Sequence, residues 1–207
     1  MGAAARVDVT DETLMLRYQR GDMGAFATLV ARHEAPLFHF ALRHVRSSPT
    51  AEDIVQEVFV RVIESSGSFK HEARFSTWVY TIARNLCIDH LRKMSLRRHP
   101  SLDEPVAGPD GEGLARIELT ADPSPGASTE RVSIGNEIAA RVSAAVAALP
   151  DDQREVFLLR QVAGLAFREI ATVTEAPENT VKSRMRYALE RLQEALVDFD
   201  DYARALR

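Results

Sequence analysis

The sequence is short of the residues that build disulfides, metal clusters and membrane spans. Its 207 residues include a single cysteine, Cys87, which excludes an internal disulfide and a cluster of thiolate ligands. No apolar run approaches the roughly 20 residues of a membrane-spanning helix. The segment Met1–Thr10 also lacks the apolar stretch of a signal peptide. We therefore expect a cytoplasmic protein without direct membrane insertion.

The sequence also lacks the motifs that most enzymes need. It has no glycine-rich phosphate-binding loop, and its six histidines show neither HExxH-type spacing nor a neighbouring pair of cysteines. Glu52, Asp53 and Glu57 share one predicted helix, but the Glu-x-x-His motif of a di-metal bundle is missing. The sequence therefore predicts no catalytic residue, no metal site, no cofactor and no small-molecule substrate.

Charge is distributed unevenly along the chain. The formal net charge is −4, yet Arg84–His99 holds five cations against one acid, and Glu178–Arg191 holds four cations against two acids. Between them, Ser101–Arg131 holds seven acids against two arginines. Because local charge sets the affinity for phosphates, two basic segments on either side of an acidic one are compatible with DNA binding.

The pattern of the first half predicts helices throughout. Apolar residues recur at helical spacing over Asp11–Gln19 and Met23–Val45, with a kink or break expected at Pro36. A third helix is expected to start at Thr50, where Thr50 and Asp53 match a capping box. Its predicted core residues are Ile54, Val55, Val58, Phe59, Val62 and Ile63. A fourth helix is expected from about Ser76 to Arg92 or Met94, with Phe75 and Val79 towards the core.

The second half predicts a helix-turn-helix. One helix breaks at Gly164, the short helix Phe167–Val173 follows, and a longer helix begins at Pro177. The apolar stripe predicted for the long helix is Val181, Met185, Ala188, Leu189, Leu192 and Leu196, with Thr180, Ser183 and Tyr187 opposite. A short buried helix that supports a long helix with a polar, basic outer face is typical of proteins that read the DNA major groove.

Proline and glycine concentrate between these two halves. Pro100–Gly126 contains five of the nine prolines and four of the ten glycines, with little hydrophobic periodicity. Such a composition buries too little apolar area to offset the entropy lost on ordering. We therefore expect an all-α protein with two small helical domains, at residues 11–94 and 132–198, joined by a flexible acidic linker at residues 95–131.

Three motifs, in this order along the chain, resemble bacterial RNA polymerase sigma factors of the extracytoplasmic-function (ECF) type. They are TAEDIVQEVFVRVI over Thr50–Ile63, FSTWVYTIARNLCIDHLRK over Phe75–Lys93, and the Gly-Leu, Glu-Ile-Ala and Asn-Thr-Val-Lys-Ser-Arg groups within residues 164–184. The first two resemble region 2 of that family and the third resembles region 4. The resemblance implies a transcription initiation factor, not an enzyme, which binds core RNA polymerase and promoter DNA and is controlled by an anti-sigma protein.

The resemblance also implies a role for individual residues. Asp53, Gln56 and Glu57 are expected to dock on the polymerase. Residues expected to hold the separated strand of the −10 element are Trp78, Thr81, Arg84, Asn85, Ile88 and Arg92. For Trp78, packing in the core is the slightly favoured alternative. Residues expected to read the −35 element are Asn179, Thr180, Lys182, Ser183, Arg184, Arg186 and Tyr187. Of these, Ser183, Arg186 and Tyr187 are expected to contact bases and the others phosphates and sugars.

Two residues of the helix-turn-helix depart from the family's pattern. Glu175 occupies the turn position where the family favours glycine, and a left-handed conformation there would cost about 1 kcal/mol or more. Ala166 stands where a serine or threonine often caps the short helix, which loses a cap worth ~1 kcal/mol.

The alternative interpretation is a dimeric helix-turn-helix regulator that binds operator DNA without serving as a polymerase subunit. The C-terminal half fits this class nearly as well. The N-terminal half favours the sigma factor, because a sensor domain would show a ligand pocket or the α/β pattern of a phosphoacceptor. It shows instead only helices, one of them with an acidic outer face.

Overall fold

The computed structural model describes residues 9–70, 74–97 and 129–197, and within these ranges it is helical and without strands. The elements are α1 (Asp11–Gln19), α2 (Met23–Val45), α3 (Ser48–Glu64), a 3-10 turn (Ser66–Ser68), α4 (Phe75–Arg97), α5 (Thr129–Ala148), α6 (Asp151–Gln161), α7 (Phe167–Thr174) and α8 (Glu178–Ala195). The all-α prediction is thus confirmed. Residues 98–128 of the predicted linker lie outside the described residues, whereas both of its ends, 95–97 and 129–131, are helical.

Helices α1 to α4 pack together as the N-terminal bundle. Fully buried side chains at its centre include Met15, Leu29, Phe40, Val58 and Tyr80. The rings of Phe40 and Tyr80 meet edge to face, with their centroids 5.3 Å apart. This core fixes α3 and α4 against α2 and so determines which of their faces reach solvent.

Helix α3 begins two residues earlier than predicted. Ser47 is its N-cap, and the Ser47 side chain accepts a hydrogen bond from the backbone N–H of Thr50. The predicted capping box is therefore wrong, and Asp53 lies inside the helix with its side chain exposed. Ser47 succeeds as the cap because its backbone is extended and Pro49 follows at the start of the helix, where proline needs no hydrogen-bond partner.

Two further expectations for the N-terminal bundle are corrected. Ile63 is 45% exposed rather than buried, because at 100° per residue it lies roughly 110° from the centre of the stripe that contains Val58 and Val62. Helix α2 also runs through Pro36 without the break that was one of the two outcomes expected there. The buried residues Leu29 and Leu37 anchor α2 on both sides of the proline, and their packing outweighs the lost backbone hydrogen bond.

Helices α5 to α8 form the C-terminal bundle. Val181, Met185, Ala188 and Leu192 of α8 are buried, as predicted. Leu189 is 47% exposed, contrary to prediction, because it lies roughly 70° from the centre of the buried stripe. Leu196 is half-buried just beyond the helix end.

The two bundles contact each other, since α4 packs on α7 and α2 packs on α6. Within the described residues, no helix has both the length and the apolar character that crossing a membrane requires.

Candidate nucleic-acid interface

The helix-turn-helix is held by short connections on both sides of α7. Gly164 has a φ of +66°, in the left-handed region, and it turns the chain from α6 towards α7. The Arg160 guanidinium donates to the Leu165 carbonyl at 2.9 Å and lies 5.3 Å from the centroid of the Phe167 ring. Sequence reasoning missed this arginine brace, because nothing in the local pattern distinguishes Arg160 from a solvated cation.

Both predicted departures from the family's pattern are visible in this motif. Glu175 has a φ of +53° and a ψ of +35°, so a non-glycine residue holds the left-handed turn before α8. Ala166 offers no side-chain cap to α7. The Ala166 N–H still donates to the Glu169 Oε2 atom at 2.7 Å, so half of a capping box remains.

Helix α8 carries a contiguous polar surface opposite its buried stripe. Ser183, Arg186 and Tyr187 are all exposed, and their spacing places them together on this face. The Arg186 guanidinium lies 4.8 Å from the centroid of the Tyr187 ring, which orients both side chains. The Ser183 hydroxyl donates to the Asn179 carbonyl at 2.9 Å. Ile170 and Val173 of α7 are buried, and α7 packs on α8.

The cations of α8 differ in their availability. Lys182 pairs with Glu178 at 2.6 Å and Arg186 pairs with Glu190 at 3.7 Å, both at exposed positions. Exposed pairs of this kind are weak, so either cation can exchange its carboxylate for an acceptor on DNA. The Arg184 guanidinium instead binds the Asp152 carboxylate of α6, so it also braces α8 against α6.

The predicted −10 residues on α4 do not form one open surface. Asn85 and Arg92 are exposed, whereas Trp78, Thr81, Arg84 and Ile88 are half-buried. The Trp78 ring packs against Phe69 and Phe75, with centroids 5.2 and 6.0 Å away, which favours the core-packing alternative. The Thr81 hydroxyl already donates to the Thr77 carbonyl at 2.8 Å.

Arg84 is occupied by a carboxylate from the other bundle. Its Nε atom lies 2.8 Å from the Oε1 atom of Glu155, and the two side chains are only 17% and 11% exposed. Sequence reasoning missed Glu155. The signal was a carboxylate within the apolar pattern of α6, but the position of its partner, 71 residues away, depends on how the bundles pack.

The predicted polymerase residues form an open acidic surface on α3. Asp53, Gln56 and Glu57 are all exposed and lie on the side of α3 opposite its buried stripe. Glu57 pairs with Arg61, one turn further on, at 3.0 Å. The structure thus brings the three side chains together on one surface of the N-terminal bundle.

The described residues contain neither a metal-binding group of side chains nor a reactive thiol. Among the described residues, no three histidine, cysteine, aspartate or glutamate side chains are grouped as a metal site would require. Cys87 is fully buried, and this burial raises the pKa of its thiol to about 12. The thiol is therefore protonated at neutral pH and behaves as a small apolar group.

Comparison with known proteins gives matches to both bundles. Residues 29–97 match the family Sigma-70 region 2, and residues 139–192 match Sigma-70, region 4. The RNA polymerase sigma-H factor of Pseudomonas aeruginosa is 35% identical over 186 residues, which cover 90% of this chain and 93% of that protein. The ECF RNA polymerase sigma-E factor of Escherichia coli K12 is 32% identical over 183 residues, covering 88% of this chain and 92% of that protein.

A solved structure shares the fold. It is the sigma factor RpoE in complex with the anti-sigma factor NepR from Bartonella quintana. The likeness has a TM-score of 0.60 at 23% identity and covers 83% of this chain and 96% of that one. Both family matches and the extent of the similarity to curated relatives lead to one identification: the chain belongs to the sigma-70 family, as a sigma factor of the ECF type.

Proposed function

We propose that this chain directs core RNA polymerase to promoters through three separate surfaces, one on each of α3, α4 and α8. The observation that carries the proposal is the face of α8, where Ser183, Arg186 and Tyr187 are exposed together above a helix-turn-helix frame. A sigma factor is an initiation factor, so catalysis belongs to the polymerase and this chain is not an enzyme.

The α3 surface docks on the polymerase. Asp53, Gln56 and Glu57 supply carboxylate and amide oxygens that accept hydrogen bonds from a basic or polar partner helix. All three are exposed, the exposed pair of Glu57 with Arg61 is weak enough to be replaced, and charge complementarity would guide the encounter.

The α4 surface holds the separated −10 strand. Asn85 has both a donor and an acceptor for a base edge, and Arg92 is exposed for a phosphate. Arg84 contributes a second phosphate contact once it leaves Glu155. Trp78, Thr81 and Ile88 are proposed here as support for that face, since all three are half-buried.

The α8 surface reads the −35 element. Ser183, Arg186 and Tyr187 contact bases in the major groove, while Asn179, Thr180, Lys182 and Arg184 contact the backbone. Direct base contacts carry sequence preference, whereas phosphate contacts add affinity for every sequence.

We further infer that an anti-sigma protein controls this chain, because the Bartonella quintana sigma factor RpoE, which shares the fold, forms a complex with the anti-sigma factor NepR. The cytoplasm is the compartment proposed for it, because promoter DNA and polymerase are found there.

The surfaces can be tested separately with purified full-length protein. Gln56→Ala/Glu57→Ala should weaken binding to core polymerase by about tenfold or more, which corresponds to about 1.4 kcal/mol. Glu52→Ala, a neighbouring exposed carboxylate outside the proposed surface, is the matched control and should bind normally. Equal affinity of both variants would contradict the assignment of the α3 surface.

The −35 surface is tested by whether a variant loses affinity for all DNA duplexes or loses its preference for the cognate duplex. Lys182→Ala should weaken binding to all duplexes equally. It should also reduce the slope of log K against log salt concentration by about 1, the amount expected for one lost phosphate contact. Ser183→Ala/Tyr187→Ala should lower the preference for the cognate duplex by about 1 kcal/mol or more. Gln193→Ala, exposed on α8 beyond this surface, is the control. A chain that binds duplex DNA as a dimer, but never binds core polymerase, would support the operator-binding regulator instead.

A further inference from the structure

Carboxylates of the C-terminal bundle hold arginines of the N-terminal bundle at two places. Glu155 of α6 binds Arg84 of α4, with 2.8 Å between Oε1 and Nε. Glu169 of α7 binds Arg74, just before α4, with 3.2 Å between Oε1 and Nε. These two ion pairs join segments that are far apart in sequence, so they exist only when the bundles are packed together.

The Glu155 pair is set in a nearly dry environment. The Nε2 atom of His44 lies 4.0 Å from Glu155 Oε1, and the other His44 nitrogen, Nδ1, contacts the Phe40 carbonyl at 2.8 Å. Burial lowers the pKa of His44, so this ring is neutral at pH 7 and leaves Arg84 as the cation that contacts the carboxylate. Removing the charge of Glu155 would leave the Arg84 guanidinium uncompensated in this position.

The Glu169 pair adds a contact that can be removed without unfolding α7. Only the Oε1 atom of Glu169 reaches Arg74, while Oε2 accepts the N–H of Ala166 at the start of α7. Glutamine retains an oxygen for that N–H, as it does in other capping boxes, but carries no charge for Arg74. The two roles of Glu169 can therefore be separated experimentally.

The packed arrangement conflicts with reading two promoter elements at once. The −35 and −10 positions lie about 25 base pairs apart, which is roughly 85 Å along B-DNA at 3.4 Å per base pair. In the structure α4 packs on α7, and α7 packs on α8. Because a helix with its side chains is only about 10–12 Å across, the faces of α4 and α8 lie far closer together than the two elements.

We propose that Glu155 and Glu169 form a latch that holds the C-terminal bundle on the N-terminal bundle and withholds Arg84 from the promoter strand. This inference rests on the proposed function, which assigns Arg84 to the −10 strand. The Glu155 carboxylate occupies the place of a phosphate on the guanidinium. Polymerase and promoter binding must replace both carboxylates before the two elements can be read together.

The test uses the full-length chain without polymerase and compares two double variants. Glu155→Gln/Glu169→Gln removes both latch charges. Glu34→Gln/Glu194→Gln removes the same number of charges at exposed positions on α2 and α8. Small-angle scattering reports the radius of gyration, and fluorescence anisotropy with a random 12-nucleotide single strand reports binding, because phosphate contacts do not depend on sequence. Circular dichroism checks that both variants keep their helices.

The latch variant should expand and the control should not. If the fraction of molecules whose two bundles are separated rises from about one tenth to about one half, single-strand affinity at matched salt increases about fivefold. A radius of gyration and an affinity equal to those of the control would overturn the latch. Expansion without tighter binding would overturn the withholding of Arg84.

A third variant separates the latch from the proposed function. Adding Arg84→Ala to the latch variant should abolish the gain in single-strand affinity while the chain stays expanded. If the gain persists, the −10 role of Arg84 is wrong and so is its withholding, although the expansion still assigns the contact between bundles to the two carboxylates.

Discussion

Replacing Glu175 by glycine should stabilise the C-terminal bundle. Glu175 holds the turn between α7 and α8 in a left-handed conformation, with a φ of +53°, and its side chain is exposed. The left-handed conformation costs a non-glycine residue about 1–2 kcal/mol because Cβ crowds the following carbonyl. Glycine removes that cost but gains about 0.4–1 kcal/mol of conformational freedom in the unfolded chain. The midpoints of these two ranges give an expected net gain for Glu175→Gly of about 0.8 kcal/mol.

Thermal and urea denaturation, followed by circular dichroism at 222 nm, measure this gain. For a bundle of this size the gain corresponds to a melting temperature about 3–6 °C higher. Glu175→Ala is the matched control, since it removes the same carboxylate but keeps Cβ and should leave stability nearly unchanged. Gly164→Ala should act in the opposite direction, because Gly164 has a φ of +66°, which costs free energy for alanine. No neighbouring atom would contact the added Cβ, so the loss of stability would come from the backbone conformation alone. If Glu175→Gly is no more stable than Glu175→Ala, the backbone argument is wrong.

Three further outcomes follow from single side chains. Ala166→Ser should stabilise α7 by ~1 kcal/mol by completing the capping box with Glu169, and unchanged urea midpoints would contradict it. Burial raises the pKa of the Cys87 thiol to about 12, so roughly one thiol in ten thousand is ionised at pH 8. Alkylation of Cys87 should therefore be much slower in the folded protein than in an unfolded control, and equal rates would contradict its burial. The pKa of Asp11 is lowered, chiefly by its hydrogen bond with His33, so its stabilising effect is present above the ordinary pKa near 4 and is lost as pH falls through the folded value. Asp11→Asn should therefore be less stable than the parent chain at pH 5–7, and a stability gap of the same size at pH 3 would refute this assignment.

The elements that the sequence predicts well are those fixed by local periodicity. The buried stripe of α3 at Ile54, Val55, Val58, Phe59 and Val62 follows from spacing alone, as does the buried stripe of α8. These features depend on residues only a few positions apart. The left-handed turn at Glu175 was located differently, through the resemblance to a family that favours glycine at that position.

What the sequence does not reveal depends on tertiary packing. Spacing includes Ile63 and Leu189 in their stripes, but each lies at an edge that no helix of the described residues covers. The partners of Glu155 and Glu169 come from the other bundle, so no local pattern predicts that Arg84 is occupied. The surfaces on α3 and α8 were predictable because exposure follows directly from being opposite a buried stripe.

The central claim is that this chain gives core RNA polymerase its promoter specificity. In vitro transcription from a pool of genomic fragments, with bacterial core polymerase alone and with this protein added, tests that claim most directly. The account predicts discrete transcripts only when the protein is present, and their loss with Asp53→Ala/Glu57→Ala while that variant remains folded. Mapped start sites should then share sequences near −10 and −35. A folded protein that yields no new transcripts with core polymerase, yet shifts duplex DNA as a dimer, would contradict it.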